Sequence, residues 1–259
     1  MNTKLLKTFL QNNENVLFSG RHGVGKTHIV KELFDAEIGP QNVNWLYFSA
    51  ATLDPWVDFV GIPREHTDEQ GRRYIEQVLP KHFVVNDVRA IFIDELNRAH
   101  SKIRNAVMEL IQFKSINGRP FPNLKVVWAA INPEDKAGTY DVEHLDPAML
   151  DRFVIKMEVP YDLNTKYFAK KFGKPITSLA EKWWTSLPDN IRAEVSPRRL
   201  EHALRIHTEY GGPLRDYVLP ASSNPKALIH SLSGINRLED FKKKLKENVP
   251  QEEITQWLI

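Results

Sequence analysis

The stretch Gly20-Arg21-His22-Gly23-Val24-Gly25-Lys26-Thr27 constrains this chain more than any other. It fills the pattern G-x-x-x-x-G-K-[ST] in full. Before it lies a short apolar run, Val16-Leu17-Phe18-Ser19, and after it a segment of helical character, Lys26 to Phe34. A strand that stops at a glycine-rich turn and resumes as a helix aims backbone N–H groups and the positive end of the helix dipole at one point, an arrangement suited to phosphate. The pattern therefore places Gly20, Arg21, His22, Gly23, Val24, Gly25, Lys26, Thr27 and the adjoining His28 around the phosphates of a nucleotide. Lys26 would reach the outer phosphates, and the Thr27 hydroxyl would help hold Mg²⁺. The plainer alternative, a glycine turn with a surface lysine, leaves the strand and helix on either side unexplained. His22 would contribute through its backbone, and nothing around it suggests catalysis.

A second signal is Ile91-Phe92-Ile93-Asp94-Glu95, an apolar strand that ends in two carboxylates. Acids at the end of a buried strand are costly unless they are used. Asp94 is suited to contact Mg²⁺ through water, and Glu95 to orient and polarise an attacking water. The alternative is that both acids cap the next helix near its positive end. The phosphate loop upstream favours the first reading.

Around these signals strands and helices alternate. Strand-like runs cover Asn44 to Ser49, Ala90 to Ile93, Leu124 to Ile131 and Phe153 to Val159. Helical spacing is found at Gly71 to Leu79 (Tyr74, Ile75, Val78, Leu79) and at Ile103 to Phe113 (Ile103, Ala106, Val107, Leu110, Ile111). Such alternation predicts a parallel sheet with helices on both faces. After Pro160 the pattern becomes helical, at Thr165 to Phe172, Ile176 to Leu187, Arg198 to Tyr210 and the charged tail Arg237 to Ile259, with turn clusters at 211–213 and 221–225. Trp183 and Trp184 read as core or domain-interface residues of a helix in that region. The expected division is a nucleotide-binding αβ domain, 1–160, and an all-α domain, 161–259.

Composition removes several functions. The 259 residues contain no cysteine, which excludes a disulfide framework, a thiolate metal site and a cysteine nucleophile, and fits the reducing cytoplasm. The histidines lack metal-ligand spacing. The longest wholly apolar run, Val126 to Ile131, is far too short to cross a membrane, and the N-terminus shows no secretory signal. Residues 1–150 carry 17 basic and 19 acidic side chains, and the remainder 18 and 14. Neither part has the basic excess of a dedicated nucleic-acid binder.

Six segments, GRHGVGKT, DFVGIPRE, IFIDELNRA, VVWAAINPED, LDPAMLDRF and SPRRL, occur in an order that resembles the AAA+ ATPases, specifically the MoxR group with an insert in its second helix. The resemblance covers about Asn15 to Pro160 and, beyond it, Ser196 to Leu204. It implies a P-loop NTPase core, an α/β fold with a parallel sheet flanked by helices, followed by a small all-α lid. It places Asn132 at the sensor-1 position, Arg152 at the arginine finger, and Arg198 at sensor 2 with Arg199 as rival. The plainer alternatives are a turn residue for Asn132 and an ion pair with Asp146 or Asp151 for Arg152. The segments Asp58 to Pro63 and Ser115 to Leu124 resemble loops that face the central pore in this group. Phe59 and Phe121 would there grip a partner or simply pack locally. LPKHFVVNDVRA replaces the glycine-rich stretch usual before the DE strand.

The resemblance also implies ATP and Mg²⁺ as cofactors and a homo-oligomer, a hexameric ring, that remodels a protein client. Such proteins often work with a von Willebrand factor A domain partner. Rival expectations are a nucleic-acid-directed motor or loader, which DNA-stimulated turnover would favour, and a nucleotide-binding scaffold with little turnover. The intact Asp94-Glu95 pair opposes the scaffold. A small-molecule kinase would leave the sensor and finger positions without a purpose.

Overall fold

The computed structural model describes residues 3–84, 87–133, 145–210 and 218–246. The chain divides into two compact units, Met1–Tyr161 and Asp162–Ile259.

In the first unit, helix α1 (Thr3–Gln11) precedes strand β1 (Val16–Ser19), which feeds helix α2 (Lys26–Glu37). Strand β2 (Trp45–Ser49) leads through a π-type turn at Pro55–Val60 into the hairpin β3 (Ile62–Thr67) and β4 (Arg73–Val78). A short helix α3 (Lys81–Val84), strand β5 (Ala90–Asp94), a 3-10 turn (Leu96–Arg98) and helix α4 (Ser101–Phe113) follow. The small hairpin β6 (Ser115–Ile116) and β7 (Arg119–Pro120) leads to strand β8 (Val126–Ile131), helix α5 (Pro147–Arg152) and strand β9 (Ile155–Glu158).

Five parallel strands form the sheet in the order β2-β5-β8-β1-β9. Alternate side chains enter opposite layers. Leu17, Ile91, Ile93, Val127 and Ala129 pack with Ile103, Val107 and Leu110 of α4. Phe18, Phe92, Trp128 and Ala130 pack with Leu6 and Leu10 of α1 and with Val30, Leu33 and Phe34 of α2. Burial on both faces explains why these strands read as continuous apolar runs. The Phe34 ring lies 5.4 Å from Trp45 and 5.0 Å from Trp128. The buried indoles keep their polar ends satisfied, Trp45 donating to Asp35 Oδ1 at 2.9 Å and Trp128 to the Glu14 carbonyl at 2.8 Å.

One element departs from its sequence reading. Gly71 to Leu79 is not helical, since Arg73–Val78 forms β4, antiparallel to β3. The turn between them decides this. Asp68 Oδ1 accepts from the N–H groups of Gln70 and Arg72, both at 2.9 Å, and the Asp68 N–H reaches the Arg72 carbonyl at 3.0 Å. A helix needs its apolar stripe to be buried, but Tyr74, Ile75 and Val78 are all exposed. Their spacing therefore had nothing to act on. Helix α1 has no counterpart in the sequence reading; it buries Leu6 and Leu10.

The second unit consists of α6 (Thr165–Phe172), α7 (Lys174–Ser186), α8 (Asp189–Glu194), α9 (Pro197–Tyr210), a 3-10 turn at Ala221–Ser223 and α10 (Pro225–Lys246). Among the described residues it has no strand. Trp183 and Trp184 are buried, and the Trp184 indole donates to the Val195 carbonyl at 2.7 Å. The expected turn at 211–213 and the tail beyond residue 246 lie outside the described residues.

Candidate nucleotide-binding site

The site is built where β1, β8 and β5, neighbours in the sheet, reach their C-terminal ends. After β1 the chain must turn close to β9. A Cβ on Gly20 would stand 2.8 Å from the Val159 carbonyl oxygen, so only glycine fits there. Gly25, at φ 90°, makes the left-handed turn directly before α2. Lys26 and Thr27 thus open the helix, and the first N–H groups of α2 face the loop.

Lys26 is buried, and its Nζ donates to the carbonyls of Gly20 (2.5 Å) and Arg21 (3.0 Å) and to Asn132 Oδ1 (3.0 Å). Arg21 extends over the Tyr161 ring at 5.2 Å. His22 and His28 are exposed, and His28 approaches Glu32 at 3.4 Å, one turn along α2. Val24 is buried and anchors the loop from below.

The Thr27 hydroxyl donates to Asp94 Oδ2 at 2.5 Å, and Asp94 Oδ1 accepts from the Glu95 N–H at 3.0 Å. Thr27 and Asp94 therefore place hard oxygen donors side by side beside the phosphate loop. This donor set suits Mg²⁺, which prefers one or two protein oxygens and keeps several waters.

Glu95 leaves the sheet in the left-handed region, φ 56° and ψ 38°, which is uncommon for a residue with a side chain. Its carboxylate lies 3.7 Å from Arg98 Nη1. It makes no capping hydrogen bond, and the N-cap of α4 is His100, whose Nδ1 accepts from the Lys102 N–H at 3.2 Å. The helix-capping alternative for this acid pair thus has no support in the geometry.

Asn132 is buried at the end of β8. Its side chain turns to Lys26 rather than to its own backbone. Behind it lies Asn97, also buried, whose Nδ2 donates to the Asn132 carbonyl at 2.7 Å. Asn97 was not singled out from sequence. The signal available was a polar residue between Leu96 and Ala99, both of which are buried.

Arg152 closes α5. Its Nε donates to Gln112 Oε1 at 3.2 Å and its Nη1 to the Ala148 carbonyl at 2.6 Å. The ion pair with Asp146 or Asp151 is absent among the described residues, and Asp146 instead caps α5 through the Ala148 N–H at 2.8 Å. In the second unit Ser196 Oγ accepts from the Arg199 N–H at 3.2 Å, and Pro197 opens α9. Arg199 donates from Nε to the Val218 carbonyl at 2.6 Å and from Nη1 to the Glu194 carbonyl at 3.2 Å. Arg198 is exposed, as Arg199 is, and its side chain makes no hydrogen bond to a described residue. Phe59 and Phe121 are not presented to a partner. Both are buried, Phe59 edge-on to Phe48 at 5.1 Å and Phe121 against Phe83 at 5.2 Å.

A parallel sheet in which β1 ends in such a phosphate loop, with an acid pair two strands away at the end of β5, defines a P-loop ATPase core. Residues 15–155 match the ATPase family associated with various cellular activities (AAA), and the chain belongs to that family. It is 34% identical over 151 residues to the chaperone MoxR1 of Mycobacterium tuberculosis, a match that covers 57% of this chain and 36% of that protein. The chain thus spans little more than a third of the length of that curated relative. Among solved structures, Hsp104 with ATPγS and casein is similar in fold, with a TM-score of 0.50 at 12% identity over 78% of this chain and 40% of that one. NtrX of Brucella abortus aligns more loosely, with a TM-score of 0.46 at 13% identity over 98% and 65%. No helix among the described residues is long and apolar enough to cross a membrane.

Proposed function

We propose that this chain binds and hydrolyses ATP and uses the cycle to remodel a protein client. The observation that carries this reading is the convergence of Lys26, Thr27, Asp94, Glu95 and Asn132 at one end of the sheet. The buried Lys26 ammonium would exchange neutral oxygens for phosphate oxygens, a stronger, charge-assisted contact. Gly20 to His28 would wrap the phosphates, and Thr27 and Asp94 would hold Mg²⁺. Bound there, Mg²⁺ would neutralise charge on the phosphates. Glu95 would turn from Arg98 to orient the attacking water and draw off its proton, with the Asn132 amide fixing the water's position. No covalent intermediate is needed, because positioned charge suffices for phosphoryl transfer.

Arg152 would act as a finger on the nucleotide of a neighbouring copy in a ring, hexameric by resemblance. Arg198 rather than Arg199 would be sensor 2, since Arg199 is committed to carbonyls of its own unit. The similarity to MoxR1 supports a chaperone-like role, with a von Willebrand factor A domain protein as the expected presenter of the client. The reducing cytoplasm is the setting this calls for. The test is Glu95→Gln, which should bind ATP with Mg²⁺ and hydrolyse it at least about 100-fold more slowly. Phosphate release and a nucleotide titration measure the two. Wild-type turnover in the variant would remove Glu95 from the mechanism.

A further inference from the structure

The pairing of β5 with β8 ends at Ile93↔Ala129, after which β5 turns away at Glu95. Asn132 therefore lies beyond the reach of its neighbour's backbone. Asn97 stands in for the missing strand. Its Nδ2 donates to the Asn132 carbonyl at 2.7 Å, and its Oδ1 faces the Asn132 N–H at 3.4 Å. The amide orientation follows from the partners, since an N–H can only donate and a carbonyl only accept. Asn97 and Asn132 are 4% and 5% exposed, so water cannot readily replace either contact. The other end of Asn132, its Oδ1, accepts from Lys26 Nζ at 3.0 Å. One buried chain thus runs from the phosphate-loop lysine through Asn132 to Asn97, two residues along the same turn from Glu95.

We infer that Asn97 is a positioning residue, which clamps the backbone of Asn132 so that the Asn132 amide and the turn carrying Glu95 keep a fixed spacing during hydrolysis. The inference rests on the role proposed above for Asn132. A leucine side chain at 97 is close to asparagine in size but offers no hydrogen bond. It would leave the N–H and carbonyl of Asn132 unpaired and the strand end free to shift, and small misplacements at a reacting centre are costly in rate.

The test is a cycle of Asn97→Leu and Asn132→Ala in the full chain, read by single-turnover phosphate release, ATP titration and thermal melting. Asn132→Ala keeps the backbone groups that Asn97 binds and deletes only the amide being positioned. Asn97→Leu should lower the hydrolysis rate about tenfold, the effect of roughly one well-made buried contact, with a smaller change in ATP affinity. In the Asn132→Ala background the same substitution should leave the rate unchanged while lowering the melting temperature as before. A purely structural role would lower the melting temperature in both backgrounds and the rate in neither. That result, or an equal rate loss in both backgrounds, overturns the inference. If Asn97→Leu does not fold, Asn97→Asp takes its place in the same cycle, since it keeps size and the oxygen facing the Asn132 N–H. Asn132→Ala alone separates the two claims. Normal turnover there removes Asn132 from the site and the inference with it, whereas slow turnover there with a normal Asn97 variant overturns the inference alone.

Discussion

Adjacent arginines in one helix turn can have separate duties. Both side chains are exposed, but Arg199 Nε and Nη1 tie the start of α9 to the carbonyls of Val218 and Glu194, whereas the Arg198 side chain makes no hydrogen bond to a described residue. Sequence alone left these two residues as rivals, because both follow the Ser196-Pro197 helix start. Their environments separate them. Arg199→Ala should destabilise the chain by about 1 kcal/mol, the loss of charge-assisted contacts discounted for partial exposure. Arg198→Ala should leave stability within about 0.5 kcal/mol, as exposed substitutions do, and should slow ATP turnover. Denaturation curves and phosphate release measure these effects. A folded Arg199→Ala that loses turnover while Arg198→Ala keeps it would reverse the assignment.

Elements differ in how much of their form comes from local chemistry. The turn between β6 and β7 is held by one carboxylate on α4. Glu109 accepts from Ser115 Oγ at 2.6 Å, the Gly118 N–H at 2.9 Å and the Asn117 N–H at 3.0 Å. Burial pushes the Glu109 carboxyl up, but these hydrogen bonds together outweigh burial and hold it below the ordinary carboxyl range. A group whose folded value is depressed stabilises the fold above its unfolded value, and that stabilisation fades as pH falls through the folded value. Glu109→Gln should therefore cost about 1–2 kcal/mol at neutral pH. The gap to wild type should narrow below about pH 4 as the wild-type carboxylate takes up its proton. Urea unfolding at both pH values tests this, and a gap independent of pH would show that charge at Glu109 is not what holds the turn. Asn117 continues the connection, donating to the Val60 carbonyl at 3.3 Å and contacting Gln77 beside the β3–β4 hairpin. These contacts join segments far apart in sequence, and the same packing draws Phe59 and Phe121 inward.

At the scale of the whole molecule, the proposed mechanism needs more than one copy. Arg152 ends α5 with its guanidinium on Gln112 and Ala148, and its proposed target is the phosphate of a neighbour. Arg152→Ala should retain ATP binding and lose hydrolysis by about 10³-fold. Lys26→Ala should lose tight ATP binding. Mixing the two variants should restore part of the activity, because some seams then join an intact finger to an intact phosphate loop, as a head-to-tail ring allows. If subunit exchange is demonstrated and the mixture stays inactive, action between subunits is not supported. Normal hydrolysis by Arg152→Ala alone would make the residue a structural tie between α5 and α4.

The parts legible in the residues alone are those whose physics is local or repeated along the chain. Gly20 to Thr27 could be read because a phosphate loop needs particular residues at fixed spacing, and the sheet because strands buried on both faces must be apolar throughout. The acid pair Asp94-Glu95 stood out because charge at the end of such a strand is costly. Tertiary structure decided the rest. It made Tyr74, Ile75 and Val78 part of an exposed hairpin, since helical spacing has no force without a surface to bury against. It put Phe59 and Phe121 in the core, since an aromatic side chain in a loop goes wherever neighbouring elements close over it. It joined Asn97 to Asn132, 35 residues apart, through hydrogen bonds. Such a contact exists only once parallel strands lie side by side and one of them ends short, leaving backbone groups that a distant amide must satisfy.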